Sequence, residues 1–206
     1  MFSGIVQAVG AIERVEELGF GRRLTLHAPA LGLDDVQVGD SIAVNGACMT
    51  VTGKTATRFT VDVSAESLSK TAGLDRRGEV NLEKSLRLGD RIDGHLVAGH
   101  VDGTGTVIAM ESRGESWLLI VETGPELARY LAYKGSITVQ GVSLTVNHVE
   151  DVAAGEGRRV CRFWINLIPH TVAVTTLSAL RPGDRVNLEV DMLARYVERM
   201  LSLRGR

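Results

Sequence analysis

The stretch GDSIAVNGACMTVT, from Gly39 to Thr52, returns later in the same chain as KGSITVQGVSLTVN, from Lys134 to Asn147. Ser41 matches Ser136, Gly46 matches Gly141 and Thr50 matches Thr145, each pair 95 positions apart with no gap inside the phrase. Upstream, Gly4-Ile5-Val6 aligns with Gly99-His100-Val101, and Gly10 with Gly105, at the same spacing. Downstream the spacing widens, which places an insertion in the second copy over Glu150 to Arg158. Beyond it Phe59 matches Phe163, Asp62 matches Asn166, Glu66 matches His170 and Leu68 matches Val172. Val80-Asn81-Leu82-Glu83 then returns as Val186-Asn187-Leu188-Glu189. A repeat of nearly half the chain is too long for a solenoid unit and suits a duplicated domain. A duplicated domain brings a duplicated site, whose two copies here are alike without being identical.

The chain has 206 residues and a formal charge of −2 at pH 7. That length suits two small domains, each able to close its own core. The balanced charge gives no electrostatic footprint for nucleic acid or for an anionic membrane surface. No apolar run approaches the roughly 18 residues of a membrane span. The opening MFSGIVQAVG lacks the basic and apolar regions of a signal peptide. Only Cys48 and Cys161 occur, with no CxxC pair, which points to a reducing compartment without structural disulfides. Together these readings predict a cytoplasmic protein.

Short β-rich segments separated by turn signals fill both halves. Ser41 to Val51, Phe59 to Val63, Gly103 to Ala109, Trp117 to Val121, Ser136 to Val146 and Val160 to Leu167 all favour strands. A Gly-Asp pair opens a strand three times, at Gly39-Asp40, Gly89-Asp90 and Gly183-Asp184, and Pro182-Gly183 suits a type II turn. Many short strands in each half predict a small antiparallel barrel, whose closure removes exposed edges. Helical turns follow Glu66 and Glu126. The tail differs: Leu193, Tyr196, Val197, Met200 and Leu201 form a helical stripe over Asp191 to Leu203, with Asp191 as N-cap. Such a helix either packs back on its own barrel or makes a subunit contact, and the stripe alone does not separate the two. The expected division is all-β, with one barrel at 1–95, a second at 96–190 and a helix at 191–206.

Strand alternation sorts the phrase into faces. Cys48, Thr50 and Thr52 oppose Met49 and Val51, and in the second copy Ser143 and Thr145 oppose Leu144 and Val146. Asp62, Ser64 and Glu66 oppose Val61, Val63 and Ala65 if that segment stays extended. A polar strand face ordinarily points to water. Here hydroxyl-rich faces recur at matching places, as a polyhydroxylated or heteroaromatic ligand would need. The copies diverge in reactive groups: Cys48 becomes Ser143, Ile5 becomes His100, Asp62 becomes Asn166 and Glu66 becomes His170. Histidine as a residue type suits proton transfer near neutral pH, which singles out His100. Cys48 is a candidate nucleophile, although a strand cysteine more often serves as a small buried hydrophobe.

Other signals fail. Gly103 and Gly105 give GxG, but Ile108 stands where the third glycine of a dinucleotide fingerprint belongs. His95 and His100 are five apart, which suits neither one helix face nor one strand face as a metal pair. HExxH and P-loop patterns are absent. No metal or nucleotide cofactor is expected.

The opening Met1-Phe2-Ser3-Gly4-Ile5, the phrase NGACMTVT, GHLVAGHVDG at Gly94 to Gly103 and YKGSITVQGVSLTVN resemble, in order and over the whole chain, the riboflavin synthase family of the α-chain, lumazine-binding type. The resemblance implies two tandem six-stranded Greek-key barrels plus a C-terminal α-helix, assembled as a homotrimer through that helix. It implies a transferase that needs no cofactor. Two molecules of 6,7-dimethyl-8-ribityllumazine exchange a four-carbon unit, giving riboflavin and 5-amino-6-(ribitylamino)uracil. Each barrel would bind one lumazine, and the active site would join the N-terminal barrel of one subunit to the C-terminal barrel of its neighbour. Association with lumazine synthase is left open. The chief alternative is a non-catalytic lumazine- or flavin-binding protein, against which the retained His100, Lys134, Ser143 and Thr145 argue.

Carried onto this chain, the resemblance implies a first pocket of Gly4, Ile5, Val6, Cys48, Met49, Thr50, Asp62, Val63, Ser64, Ala65, Glu66 and Ser67. The second would use Gly99, His100, Val101, Lys134, Ser143, Leu144, Thr145, Ile168, Pro169, His170, Thr171, Val172 and Ala173. Backbone groups of the glycine segments would meet the pyrimidinedione edge, and Thr50, Asp62, Glu66 and Thr145 would hold ribityl oxygens. Phe2 would cover the shared cavity and Ser41 would sit near the reacting rings. His100 would act as base or proton shuttle, Cys48 or Ser41 would activate the other lumazine at C7, and Ser143 and Thr145 would orient. His170 stands where the family often has an acidic residue, which sets the second pocket apart.

Overall fold

The structure, a computed structural model, describes residues 1–155, 157 and 159–203. The first half forms β1 (Ala8–Leu18), β2 (Gly21–His27), β3 (Ser41–Val44), β4 (Ala47–Lys54), β5 (Arg58–Ser64), α1 (Ala65–Lys70) and β6 (Gly78–Lys84). The second forms β7 (Gly103–Arg113), β8 (Ser116–Thr123), α2 (Pro125–Ala128), β9 (Ser136–Val139), β10 (Val142–Ala153), β11 (Arg159–Leu167), α3 (Pro169–Val174) and β12 (Arg185–Val190). A last helix, α4 (Met192–Ser202), follows. Each half closes into a six-stranded antiparallel barrel, in the cyclic orders β1-β2-β5-β4-β3-β6 and β7-β8-β11-β10-β9-β12. Both are Greek keys: three strands meander and a fourth returns beside the first of them. Ladder irregularities also repeat, at Ile12/Arg14 and Val107/Ala109, and at Val51/Gly53 and Val146/His148.

Ser41 to Val51 and Ser136 to Val146, expected as single strands, are hairpins. Asn45 and Gly46 take φ of 46° and 84°, and Gln140 and Gly141 take 52° and 78°. Two successive positive φ values make the tight turn whose twist suits a hairpin, and Asn-Gly is its favoured pair. Glycine is needed here for a second reason. A Cβ on Gly46 would stand 2.8 Å from the Gly141 nitrogen, and one on Gly141 would stand 2.7 Å from the Gly46 nitrogen. The two turns touch across an approximate twofold axis between the halves.

The Gly-Asp pairs are turns built one way: Asp40, Asp90 and Asp184 accept the N–H of Gln37, Arg87 and Arg181. Two of them launch β3 and β12. The pair at Gly89 does not open a strand, because β6 has already closed the first barrel and no edge remains to pair with. The chain instead runs exposed through Arg91, Ile92 and Asp93 to the second barrel. The insertion also differs from a loop. Glu150 to Ala153 pair with Arg159 to Arg162, so the extra residues lengthen the β10–β11 hairpin. Glu156 and Arg158 lie outside the described residues. Glu66 sits on α1 rather than on a strand, since the Ser64 hydroxyl accepts the Ser67 N–H at 3.1 Å and starts the helix there.

Matching side chains fill the two cores: Leu24 and Leu119, Leu26 and Val121, Ile42 and Ile137, Phe59 and Phe163, Leu82 and Leu188, all fully buried. Each contributes about 1.5–3 kcal/mol. A third cluster of Phe2, Ala43 and Val97, with Cys48 against it, lies apart from both cores. There Phe2 and Val97 exchange both backbone hydrogen bonds, at 2.8 and 3.1 Å. A buried amide network also joins the barrels: Asn81 donates to the Gln140 carbonyl at 2.9 Å, and Asn187 to the Asn45 carbonyl at 3.0 Å. Satisfied buried polar groups of this kind fix one relative placement.

The stripe of α4 does not pack on its own barrel. Leu193, Tyr196, Val197, Met200 and Leu201 are between 50% and 67% exposed. Ion pairs tether the helix instead, Arg195 to Asp102 at 2.6 Å and Arg129 to Glu198 at 3.0 Å. Among the described residues no helix is long and apolar enough to cross a membrane.

Candidate active site

Glu83 and Glu189 occupy matching places in β6 and β12 and are only 4% and 3% exposed. Each carboxylate receives two successive backbone N–H groups. Glu83 takes Ser3 at 2.7 Å and Gly4 at 3.0 Å, and Glu189 takes Ala98 at 2.7 Å and Gly99 at 2.9 Å. Burial pushes both carboxyls above their usual range, against the opposing pull of these donors. The glutamates hold Ser3–Gly4 and Ala98–Gly99 as two fixed backbone ledges.

The ledges cross between the barrels. The Gly99 carbonyl accepts the Cys48 N–H at 2.8 Å, and the Gly4 carbonyl accepts the Ser143 N–H at 2.7 Å. Val101 packs on the first core and Val6 on the second. The approach requires glycine: a Cβ on Gly99 would stand 2.7 Å from Cys48 Cβ, and one on Gly4 would stand 2.6 Å from Ser143 Cβ. The expected grouping is therefore corrected. Gly99, His100 and Val101 belong with Cys48 and Met49, while Gly4, Ile5 and Val6 belong with Ser143 and Leu144. The reciprocal pairing of Phe2 with Val97 exchanges the two lead-in segments, which linear order alone does not reveal.

The first pocket is a cavity of about 320 Å³ lined by Cys48, Met49, Glu66, Ser67, Lys70, Thr71, Gly99, His100 and Val101. Cys48 is partly exposed and His100 is exposed. Thr50, Asp62, Val63, Ser64 and Ala65 are not part of this lining. Asp62 is engaged in a forked pair with Arg23 at 2.7 and 2.8 Å, which holds its carboxyl below the usual range. The pair fixes the orientation of the carboxylate and leaves each oxygen a further acceptor position. Val63 is core. Phe2, expected as a cover, is fully buried behind Gly99 and Cys48 and is not part of the lining. Ser41 does not meet Cys48 either. It borders a separate cavity of about 310 Å³ with Asp40, Lys84 and Arg87.

At the second site the imidazole Nδ1 of His95 lies 2.7 Å from the Ser143 hydroxyl, and the backbone N–H of His95 donates to the Ser3 carbonyl at 3.1 Å. Burial lowers the pKa of His95, with Asp191 pulling the other way, which favours the neutral ring. Thr145 is exposed on the outer face of β10, and Leu144 and Val172 are buried. Ile168 caps α3, Pro169 begins it, His170 and Ala173 are exposed and Thr171 is half-buried. Lys134 takes a left-handed φ of 64°, where its counterpart Gly39 has 101°. Its ammonium lies 5.3 Å from the Tyr133 ring centre.

His95, Glu83, Glu189, Arg23 and Lys70 were not among the expected site residues. The signal for the glutamates is the recurrence of Glu83 as Glu189 inside otherwise apolar strands, which calls for a buried partner. His95 carries no such signal, because its bond to Ser143 depends on the crossed ledge. Among the described residues no group of three or more His, Cys, Asp or Glu is arranged to hold a metal ion.

Comparison with known proteins converges on this architecture. The lumazine binding domain family matches twice, at residues 3–85 and 98–191. Riboflavin synthase of Mycobacterium tuberculosis is 44% identical over 209 residues, covering 100% of both chains. That of Photobacterium phosphoreum is 42% identical over 203 residues, covering 98% of this chain and 89% of its own. That of Bacillus subtilis is 40% identical over 204 residues, covering 98% and 90%. The crystal structure of LumP complexed with riboflavin shares the fold at a TM-score of 0.78 and 23% identity, over 92% of this chain and 99% of that one. With two matching domains and full-length relatives at this identity, the chain belongs to the riboflavin synthase family of lumazine-binding proteins.

Proposed function

We propose that the chain acts as a riboflavin synthase, moving a four-carbon unit between two molecules of 6,7-dimethyl-8-ribityllumazine. The observation that carries this reading is the pair of crossed, matched sites, which share a backbone ledge and differ in reactive side chain. One ligand bound twice would meet the shared parts, the ledges at Gly4 and Gly99 with Leu144 and Met49. The divergent parts, Cys48 with His100 and Ser143 with His95, would give the two molecules unequal roles. Riboflavin and the ribitylaminouracil together contain every atom of two lumazines, so the reaction balances without oxidant, reductant or co-reactant.

The 7-methyl of a lumazine loses a proton readily because the carbanion delocalises into the heterocycle. His95, hydrogen-bonded to the Ser143 hydroxyl, would receive that proton through the serine. His100 would serve proton transfer in the first pocket, where the Cys48 thiol would add at C7 of the other ring and be expelled again, reprotonated, as the new carbon–carbon bonds form. Holding two rings together removes up to roughly 7–11 kcal/mol of bimolecular cost. Acid–base help adds ~100- to 10,000-fold, so positioning is the larger contribution.

The uncovered apolar stripe of α4 supports a homotrimer joined through this helix, with the first pocket of one subunit facing the second site of its neighbour. The working division is 1–95 and 96–190 for the barrels and 191–206 for the helical tail, of which 204–206 lie outside the described residues. Both cysteines are free, which supports a cytoplasmic location. Mixing the protein with dimethylribityllumazine and following absorbance tests the activity. Repeated conversion to riboflavin supports it, while stoichiometric binding without product would assign a non-catalytic lumazine-binding role.

A further inference from the structure

The two ledges end at matching residues, Gln7 and Asp102. Gln7 N–H donates to the Leu82 carbonyl at 2.9 Å, and Asp102 N–H donates to the Leu188 carbonyl at 2.8 Å. Their side chains also do one job twice. Gln7 Oε1 accepts the Lys84 N–H at 3.0 Å, and Asp102 Oδ2 accepts the Val190 N–H at 2.8 Å. That job needs a single acceptor oxygen, which the neutral amide supplies in the first copy. In the second copy a carboxylate stands there, its side chain 11% exposed. The surplus charge is met from α4: Arg195 Nη2 lies 2.6 Å from the same Oδ2. Among the described residues, the salt-bridge partner of Asp102 is thus supplied by the helix.

Asp102 follows His100 by two residues and Gly99 by three. His100 lines the first pocket on one side. On the other it borders a second cavity of about 430 Å³, shared with Ala98, Glu189, Met192, Arg195 and Tyr196 of the helix region. His100 therefore stands between the first pocket and a groove bounded by the helix.

We propose that Arg195 is a positioning residue: through Asp102 it ties the seating of α4 to the placement of Gly99, His100 and Val101. Ligand binding in the first pocket then depends on the helix, and the helix on ligand. This inference rests on reading the 320 Å³ cavity as a lumazine pocket.

The test compares Arg195→Gln, Arg195→Lys and Arg129→Gln, the last breaking the other ion pair of α4. Three readouts are taken: riboflavin titration by fluorescence, oligomeric state by sedimentation, and the imidazole resonance of His100 by NMR. Arg195→Gln is expected to weaken one binding step on the order of ten-fold, the usual scale of coupling between sites, and to shift or broaden the His100 resonance. Arg195→Lys restores most of both, and Arg129→Gln changes neither. Should Arg195→Gln fail to fold, Asp102→Asn combined with it removes the stranded charge and permits the same readings. A wild-type His100 resonance in the charge-removed proteins would overturn the proposal. So would a binding loss that vanishes once protein concentration restores the oligomer with the resonance unmoved. The resonance needs neither substrate nor turnover, so it decides the matter even if the chain only binds its ligand.

Discussion

Gly99→Ala probes the crossing of the ledges directly. At φ 78° a residue with a Cβ costs about 1–2 kcal/mol in the left-handed region. The new carbon would also stand 2.7 Å from Cys48 Cβ and 2.8 Å from the Phe2 ring edge, in a contact already closed. Overpacking of that kind costs about 1–3 kcal/mol, for a total of about 2–5 kcal/mol. Gly73→Ala separates the two parts, because Gly73 has φ 80° and nothing within 4 Å of its would-be Cβ. Denaturant unfolding should place Gly99→Ala about 1–3 kcal/mol below Gly73→Ala. Since the clash partner Cys48 belongs to the other barrel, Cys48→Gly in the Gly99→Ala background should recover part of that difference. A double-mutant cycle measures the recovery as a coupling energy. Equal stability of the two alanine variants, or strict additivity in the cycle, would refute a ledge shared across the repeat.

Three further outcomes are expected. Lys134→Gly should raise the unfolding midpoint by relieving a left-handed backbone, a gain of about 1 kcal/mol, yet shrink the stabilisation riboflavin confers; thermal melts with and without ligand read both. Burial raises the Glu83 carboxyl above 4.5, so the native state holds its proton longer and the stability Glu83 contributes falls as pH rises from about 4.5 through its native range. Glu83→Gln should flatten that stretch of the stability–pH curve, and an unchanged slope from acid to neutral pH would count against a buried, titrating carboxyl. In single-turnover assays Cys48→Ser should keep partial activity while His100→Gln loses more; equal and complete loss in both would sink that ranking.

The duplication was legible because side-chain identities at a constant spacing survive in Ser41 and Ser136, Gly46 and Gly141, and Thr50 and Thr145. The barrel followed from many short strands, although the hairpins at Asn45-Gly46 and Gln140-Gly141 hide inside phrases that look like continuous strands. Periodicity there continues through the turn, and only the Asn-Gly pair betrays the reversal. Cys48, Met49, Glu66, Ser67 and His100, singled out in the sequence, line one cavity, but the grouping of the glycine segments was not legible. Which ledge serves which barrel is decided by reciprocal backbone bonds of Phe2 with Val97, and backbone bonds leave little trace in residue type. Asp62 shows the opposite limit: its carboxylate looks unpaired along the sequence until Arg23 arrives from the neighbouring strand. The helix stripe marked a surface to be covered, and only the exposed Leu193, Tyr196 and Met200 show that the chain does not cover it itself.

If two unequal sites join two copies of one substrate in a single reaction, its mass balance is fixed. With purified protein and 6,7-dimethyl-8-ribityllumazine alone, two lumazines should be consumed for each riboflavin and each ribitylaminouracil formed, over many turnovers and with no added cofactor. Lumazine that stays bound and unconverted, or riboflavin formed without the uracil product, would contradict it.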